Sequence, residues 1–186
     1  MELTPALEIG WLNGWIPLCL LCVAEGLLLK TFPKDVIARL FDRSGWDKRQ
    51  VVFTVMGKLF SLGCLVLIIF APLQIGSSAF IFGMILYTLG LVGLIIAIFD
   101  FKNTPLGEPV TRGLYRVSRH PQILMLFVLF LGICIAIGSW LALFMLIISK
   151  LFQHFGILAE EEACLEQYGD SYRTYMKRVP RYFQFF

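Results

Sequence analysis

Residues 79–99 carry no charged side chain, and no other feature limits the fold of this chain as tightly. A helix of about 20 apolar residues, rising about 1.5 Å per residue, crosses about 30 Å of hydrocarbon. Segments 11–29 and 51–72 meet the same requirement. A fourth apolar stretch, 122–157, is too long for one crossing and is broken at Gly138-Ser139-Trp140. It reads as two shorter helices, 122–137 and 141–157, folded back as a hairpin with Trp140 at the interface where aromatic rings settle. The first of the two is short for a full crossing, so the hairpin tip stops below the far headgroups or the bilayer thins around it. The expected fold is an all-α integral membrane protein of about five transmembrane helices, the last two a helical hairpin, plus a cytosolic C-terminal helical segment. Residues 1–186 form one domain with no internal repeat or low-complexity linker.

Composition agrees. With 58% hydrophobic and 16% charged residues, the 186-residue chain has too little polar surface for a soluble domain. A net charge of +3, with no basic run interleaved with aromatics, excludes a nucleic-acid partner. The first ten residues contain Glu2 and Glu8 but no Lys or Arg, so no cleavable signal peptide is expected. Cys19 and Cys22 have the spacing of a redox or metal pair, but a second pair is missing and both fall mid-span. With Cys64 and Cys134 they read as small apolar packing residues, and no metal set is expected.

The basic residues orient the chain. Lys30, Lys34, Arg39, Arg43, Lys48 and Arg49 fall in 30–50; Lys102, Arg112, Arg116 and Arg119 in 100–121; Arg173, Lys177, Arg178 and Arg181 in the tail. The intervening turns, 73–78 and 138–140, have none. The positive-inside tendency makes the basic loops cytosolic, with the N-terminus outside and the C-terminus inside a multi-pass protein, in the cell membrane if the source is prokaryotic. Val36, Ile37, Leu40 and Phe41 recur at helical spacing among Lys and Arg, the pattern of an interfacial helix. A further helical stripe runs through Leu165, Tyr168, Tyr172, Tyr175, Met176 and Val179, interrupted at Gly169 and ended by Pro180.

Ionisable residues within spans are costly and face a partner or a cavity. Glu25 and Lys58 lie toward the cytosolic ends of their helices and could pair with each other or serve a substrate. Lys150 and His154, four apart, share a helix face and either snorkel or line a polar cavity. A denser group lies outside the spans. Residues 113–122 lead into the fourth helix, with Pro121 near its first turn, and Glu160-Glu161-Glu162 leaves the fifth. A hairpin would bring Arg119 and His120 against two or three of those carboxylates, as a charged belt capping two helices or as a ligand site.

The order of these residues resembles a known signature. Gly113-x-Tyr115-Arg116-x-x-Arg119-His120-Pro121 is followed by Glu160-Glu161-x-x-x-Leu165-x-x-Tyr168-Gly169-x-x-Tyr172-x-x-Tyr175 and Val179-Pro180-Arg181. The pattern is similar to the membrane methyltransferase superfamily of isoprenylcysteine carboxyl methyltransferases and phospholipid N-methyltransferases. That resemblance implies S-adenosylmethionine as cofactor, bound by roughly 100–123 and 156–182, and a lipid or hydrophobic small molecule as methyl acceptor. Carried over by position, Glu160 would hold the cofactor's amino or ribose groups with Glu161 beside it. Tyr115, His120 and Pro121, with Gln122 and Ile123, would shape the pocket, and Gly107, Glu108, Pro109 and Val110 would lie along the cofactor. Arg119, whose side chain suits a carboxylate, and His154 would be the catalytic residues. Transfer would be direct displacement, dependent on proximity and a desolvated site.

Two departures bear on the acceptor. Ile123 stands where the family usually has Tyr, and Gly156 where the prenylcysteine branch has an Arg. The second deprives a carboxylate acceptor of its charge partner and argues against methyl esterification of a prenylated cysteine. His154 could instead take a proton from an amine or thiol acceptor. Two alternatives stay open. An NADPH-dependent enzyme like the sterol reductases shares Arg-His-Pro but usually continues Asn-Tyr and carries Trp in place of Tyr172. A non-catalytic membrane scaffold could have kept the fold, as Ile123 and Gly156 would allow.

Overall fold

The structure is a computed structural model that describes residues 1–40 and 47–182. Phe41 of the interfacial stripe and Arg43 of the first basic loop lie outside the described residues. Among the described residues all regular elements are helical: α1 (Trp15–Lys30), α2 (Lys34–Leu40), α3 (Lys48–Phe70), α4 (Ser78–Lys102), α5 (Pro121–Ala136), α6 (Trp140–Tyr168) and α7 (Asp170–Arg178), with a 3₁₀ turn at Gly113–Arg116. Three of them, α3, α4 and α6, are long and apolar enough to cross a membrane. At 16 residues each, α1 and α5 are shorter.

Helix starts follow local chemistry. Asp47 and Gln50 form a capping box on α3, and Ser77 and Ser139 accept hydrogen bonds from Phe80 N and Ala142 N to cap α4 and α6. Pro121 opens α5, where its missing N–H leaves no donor unsatisfied. The break after α5 lies at Gly138, whose φ of +68° favours glycine.

Lipid supplies no hydrophobic drive between helices, so close packing and small residues hold them together. α5 packs along α4, and α6 along α3. The α4–α5 contact is glycine-mediated: a Cβ at Gly90 would lie 2.5 Å from Leu129 N, and one at Gly132 would lie 2.4 Å from Gly83 O. The α3–α6 contact is aromatic, with Phe53 and Phe155 stacked at 4.2 Å between ring centroids and Phe60 on Phe152 at 5.8 Å. Ile68, Leu129, Ile133 and Ile137 are wholly buried where these pairs meet.

Several expectations are revised. α1 begins at Trp15 rather than at residue 11, because Asn13 folds into a turn and donates to Glu8 O at 2.7 Å and Phe70 O at 3.1 Å. α6 does not end at residue 157. Its apolar part gives way at Glu160 to polar turns of good helix formers, and the helix continues to Tyr168, where Gly169 (φ +55°) breaks it. Among the described residues no ion pair joins Glu25 to Lys58, since α1 touches α3 only lightly. Cys64 and Cys134 do pack, with Sγ atoms 3.9 Å apart in the core, whereas Cys19 and Cys22 face outward. α2 buries Val36 against the bundle and half-buries Ile37.

Candidate active site

The segment before α5 is held in place by the chain's last described residues. Asp100, at the end of α4, accepts from Leu114 N at 2.9 Å and fixes the 3₁₀ turn. Gly113 is required there, because at φ +54° a Cβ would overlap the Asp100 carboxylate. Beyond the turn, Arg119 N donates to Pro180 O at 3.0 Å, Ser118 Oγ to Arg181 O at 3.0 Å, and Tyr175 Oη to Tyr115 O at 2.7 Å. The two parts of the linear pattern are thereby clamped together.

At the centre of the clamp is Glu161, its side chain 4% exposed. Arg181 binds it in bidentate fashion, Nε to Oε1 at 3.0 Å and Nη2 to Oε2 at 2.7 Å. Arg119 Nη2 and His120 Nε2 each approach Oε1 at 3.2 Å. Burial alone would push this carboxyl up, but the hydrogen bonds from His120 and Arg181, with the Arg119 charge, hold it at about 2. His120 has the mirror balance: burial pushes the imidazole down, and the bonds to Glu160 and Glu161 leave it raised above its ordinary value. Glu160, one residue earlier, points elsewhere. It is 45% exposed and, among the described residues, has His120 Nδ1 as its ion-pair partner, at 3.6 Å.

Glu160 faces a cavity of about 960 Å³, within the range of small-molecule and cofactor sites. Of the residues expected at a cofactor, Gly107, Pro109, Val110, Tyr115, Arg119, His120, Gln122, Ile123 and Glu160 line it. Gln122 Nε2 donates to Tyr115 Oη at 2.9 Å, ordering that wall. Glu108, Pro121 and Glu161 do not line it. Glu108 contributes its carbonyl to the loop and leaves its side chain exposed, Pro121 is buried in the first turn of α5, and Glu161 is consumed by the ion cluster. His154 is not brought to the cavity either: its Nδ1 lies 2.6 Å from Tyr182 Oη. Lys150 and His154 therefore part company despite their spacing. The Lys150 amine turns to Gln153 Oε1 at 2.7 Å, away from the His154–Tyr182 contact.

Two contributors were not anticipated. Arg181 was visible only as part of Val179-Pro180-Arg181, and its partnership with Glu161 needs the fold. Arg39 was read as a topology charge, yet it donates to Glu108 O at 2.6 Å, Pro105 O at 3.3 Å and Tyr168 Oη at 3.2 Å, and lies over the Phe101 ring. With Ala38 and Leu40 it makes α2 one wall of the cavity.

The cavity presents a carboxylate. Glu160 offers it, half-exposed, whereas Arg119 Nε, a donor without a hydrogen-bond partner among the described residues, is sealed from the cavity surface and its guanidinium is paired to Glu161. The arrangement suits a ligand with a cationic group and an apolar or aromatic body.

Comparison with known proteins gives the same direction. The family described as phospholipid methyltransferase matches residues 66–171. A protein-S-isoprenylcysteine O-methyltransferase from Schizosaccharomyces pombe is 37% identical over 73 residues, which is 38% of this chain and 30% of the relative's length. No solved structure matches the chain.

Proposed function

We propose, since the chain belongs to the phospholipid methyltransferase family, that it transfers a methyl group from S-adenosylmethionine to a hydrophobic acceptor at the cytosolic membrane face. The observation that carries this reading is the half-exposed Glu160 carboxylate set in a cavity of about 960 Å³ walled by Tyr115, Tyr168, Tyr172 and Tyr175. A cationic group of the cofactor would meet that carboxylate, and its adenine the aromatic walls. Gly107, Pro109 and Val110 would lie along the nucleoside, with Tyr115, His120, Gln122 and Ile123 shaping the opposite wall. The cofactor would supply a methyl group activated on a sulfonium. The chain's own part is to bind and orient the cofactor, and to exclude water with the Arg39-anchored wall. His120 is fully engaged by two carboxylates, so its role here is to position Glu160.

Equilibrium binding of S-adenosylhomocysteine to the purified chain tests this. Binding in the micromolar range is expected, weakened tenfold or more by Glu160→Gln. A chain that binds none at millimolar ligand is not such an enzyme.

The reading includes a topology of five crossings with the N-terminus outside, supported by basic residues at the cavity end and none in the opposite turns. A cysteine placed at Ile75 should react with an impermeant thiol reagent on intact cells, and one at Thr111 only after permeabilisation. The reverse order would invert the orientation.

A further inference from the structure

A second cavity, of about 220 Å³, lies within the apolar half of the bundle between α3, α5 and α6. Ile123 and Glu160 line both cavities, so the two adjoin. Its volume is below that of a whole drug-sized ligand. It can enclose the head end of an amphiphile while the tail stays in lipid.

Its lining is polar where polarity is costly. Thr54, Lys58 and Ser61 of α3 face it together with Ser149, Lys150 and Gln153 of α6. Helix-to-helix hydrogen bonding explains one contact, Ser61 Oγ to Ser149 Oγ at 2.5 Å. It does not explain the others. Thr54 Oγ1 is buried with no partner among the described residues. Lys150 Nζ donates to Gln153 Oε1, and among the described residues no carboxylate lies within ion-pair distance of it. A cation kept at membrane depth on an open cavity, with no carboxylate to pair it, marks a binding function. Two ammonium groups border the cavity against one carboxylate, Glu160, which is already drawn toward His120.

We propose that this cavity receives the anionic headgroup of an acidic amphiphile, held by Lys150, and that this amphiphile is the methyl acceptor. The second half of that statement rests on the methyltransferase reading above: a lone pair of the oxyanion would form the new O–C bond as the methyl–sulfur bond of the cofactor breaks, the electron pair staying on sulfur, so that S-adenosylhomocysteine leaves and no proton is released. Gly156 leaves the position four residues before Glu160 without a charge, and the cavity supplies a cation from an earlier turn of α6, Lys150. A protonated amine headgroup would meet Lys150 and Lys58 as like charges and is disfavoured. The shared chemistry is an oxyanion on an apolar chain, carried by a carboxylate or a phosphate.

The test is saturable binding to the full chain in nanodiscs, corrected against empty discs, with four probes of equal tail: oleate, oleoyl lysophosphatidate, oleyl alcohol and oleylamine. At least one anionic probe is expected to bind tenfold or more tightly than the alcohol and the amine, and the preferred anion identifies the source. Lys150→Met should remove that preference while leaving alcohol binding and S-adenosylhomocysteine affinity unchanged, and Lys150→Arg should retain it. Lys150→Gln, neutral but polar, should remove the preference as Lys150→Met does and covers the case of a methionine variant that does not fold. S-adenosylhomocysteine should bind together with the probe. Equal binding of all four probes, no saturable binding, or equal loss of every probe in Lys150→Met overturns the proposal. Anion binding in a chain that binds no S-adenosylhomocysteine would keep the anion site and remove its role as acceptor site.

Discussion

Glu161→Gln is expected to destabilise the chain by about 3–5 kcal/mol, while Glu160→Gln, one residue away, leaves the fold within about 1 kcal/mol of the original. The difference lies in what each carboxylate leaves behind. Removing the Glu161 charge strands Arg119, whose side chain is 8% exposed, together with His120 and Arg181. Those three positive groups would then face each other with no buried counter-charge, the costly way to break an ion pair. Glu160 keeps water as an alternative partner. Thermal unfolding in detergent, followed beside S-adenosylhomocysteine binding, separates the two: Glu161→Gln loses both together, Glu160→Gln loses binding alone. The cluster also sets a pH window. The Glu161 carboxyl lies below its ordinary value of 4.5, so its stabilisation is complete above that value and fades as pH falls toward about 2. His120 is raised above 6.5, so its contribution is complete below 6.5 and is lost as pH rises through the raised value. The midpoint temperature should therefore peak between 4.5 and 6.5. In Glu161→Gln the acid limb should disappear. A Glu161→Gln chain as stable as the original would mean the cluster does not hold the clamp.

Gly90→Val should abolish cofactor binding without touching a residue of the cavity. At Gly90 a Cβ meets backbone and Cβ atoms of Leu129 at 2.5–2.8 Å, and none of these is the free end of a flexible side chain. α5 must move away from α4 as a body. Overpacking of this kind costs about 1–3 kcal/mol even where some relaxation is possible. Because His120 and Pro121 begin α5, the displacement is delivered to the Arg119–Glu161 cluster at its other end. Gly26 is the control on another helix. A Cβ there has nothing within 4 Å, so Gly26→Ala should be neutral or slightly stabilising through helix propensity. Equal behaviour of the two variants would show that close α4–α5 approach does not position the site.

The parts of this site that were legible in the sequence are those encoded contiguously. Arg119-His120-Pro121 announces a helix start with charged groups above it, and Glu160 declares a carboxylate at the matching end of the other helix. What one side chain does relative to its neighbour was not legible. Successive helical residues point about 100° apart, so Glu160 facing the cavity and Glu161 facing the clamp depends on how α6 is rotated against α3, and that is set by Phe53, Phe60, Phe152 and Phe155. His154 and Lys150 have the spacing of a shared face, yet long side chains choose partners off that face, Tyr182 in one case and Gln153 in the other. Arg39 and Arg181 come from segments distant in sequence and gained a role only when the helices were assembled. The length of α6 is not marked by its apolar residues, because polar helix formers carry the helix on to Tyr168.

The amino-terminal stretch is joined to the bundle almost entirely through its main chain. Glu2 N reaches Gly138 O, while Trp140 N and Leu141 N donate to Glu2 O and Leu3 O at 2.9 Å. Glu8 N and Gly14 N satisfy Phe70 O and Ala71 O at the end of α3. Meanwhile Leu3, Ile9 and Trp11 are strongly exposed. In hydrocarbon or at its edge an unanswered carbonyl or amide is expensive, and here the answering groups belong to the peptide unit that every residue shares. This stretch should thus tolerate wide variation in letters but little variation in spacing. Pro5, Asn13 and Gly14 are exceptions: Pro5 is buried, the Asn13 side-chain amide does part of the work itself, and a Cβ at Gly14 would lie 2.5 Å from Ile68 O. Inserting or deleting one residue between Leu3 and Asn13 would uncap two helix ends at once, where replacing Ile9 or Trp11 would uncap none.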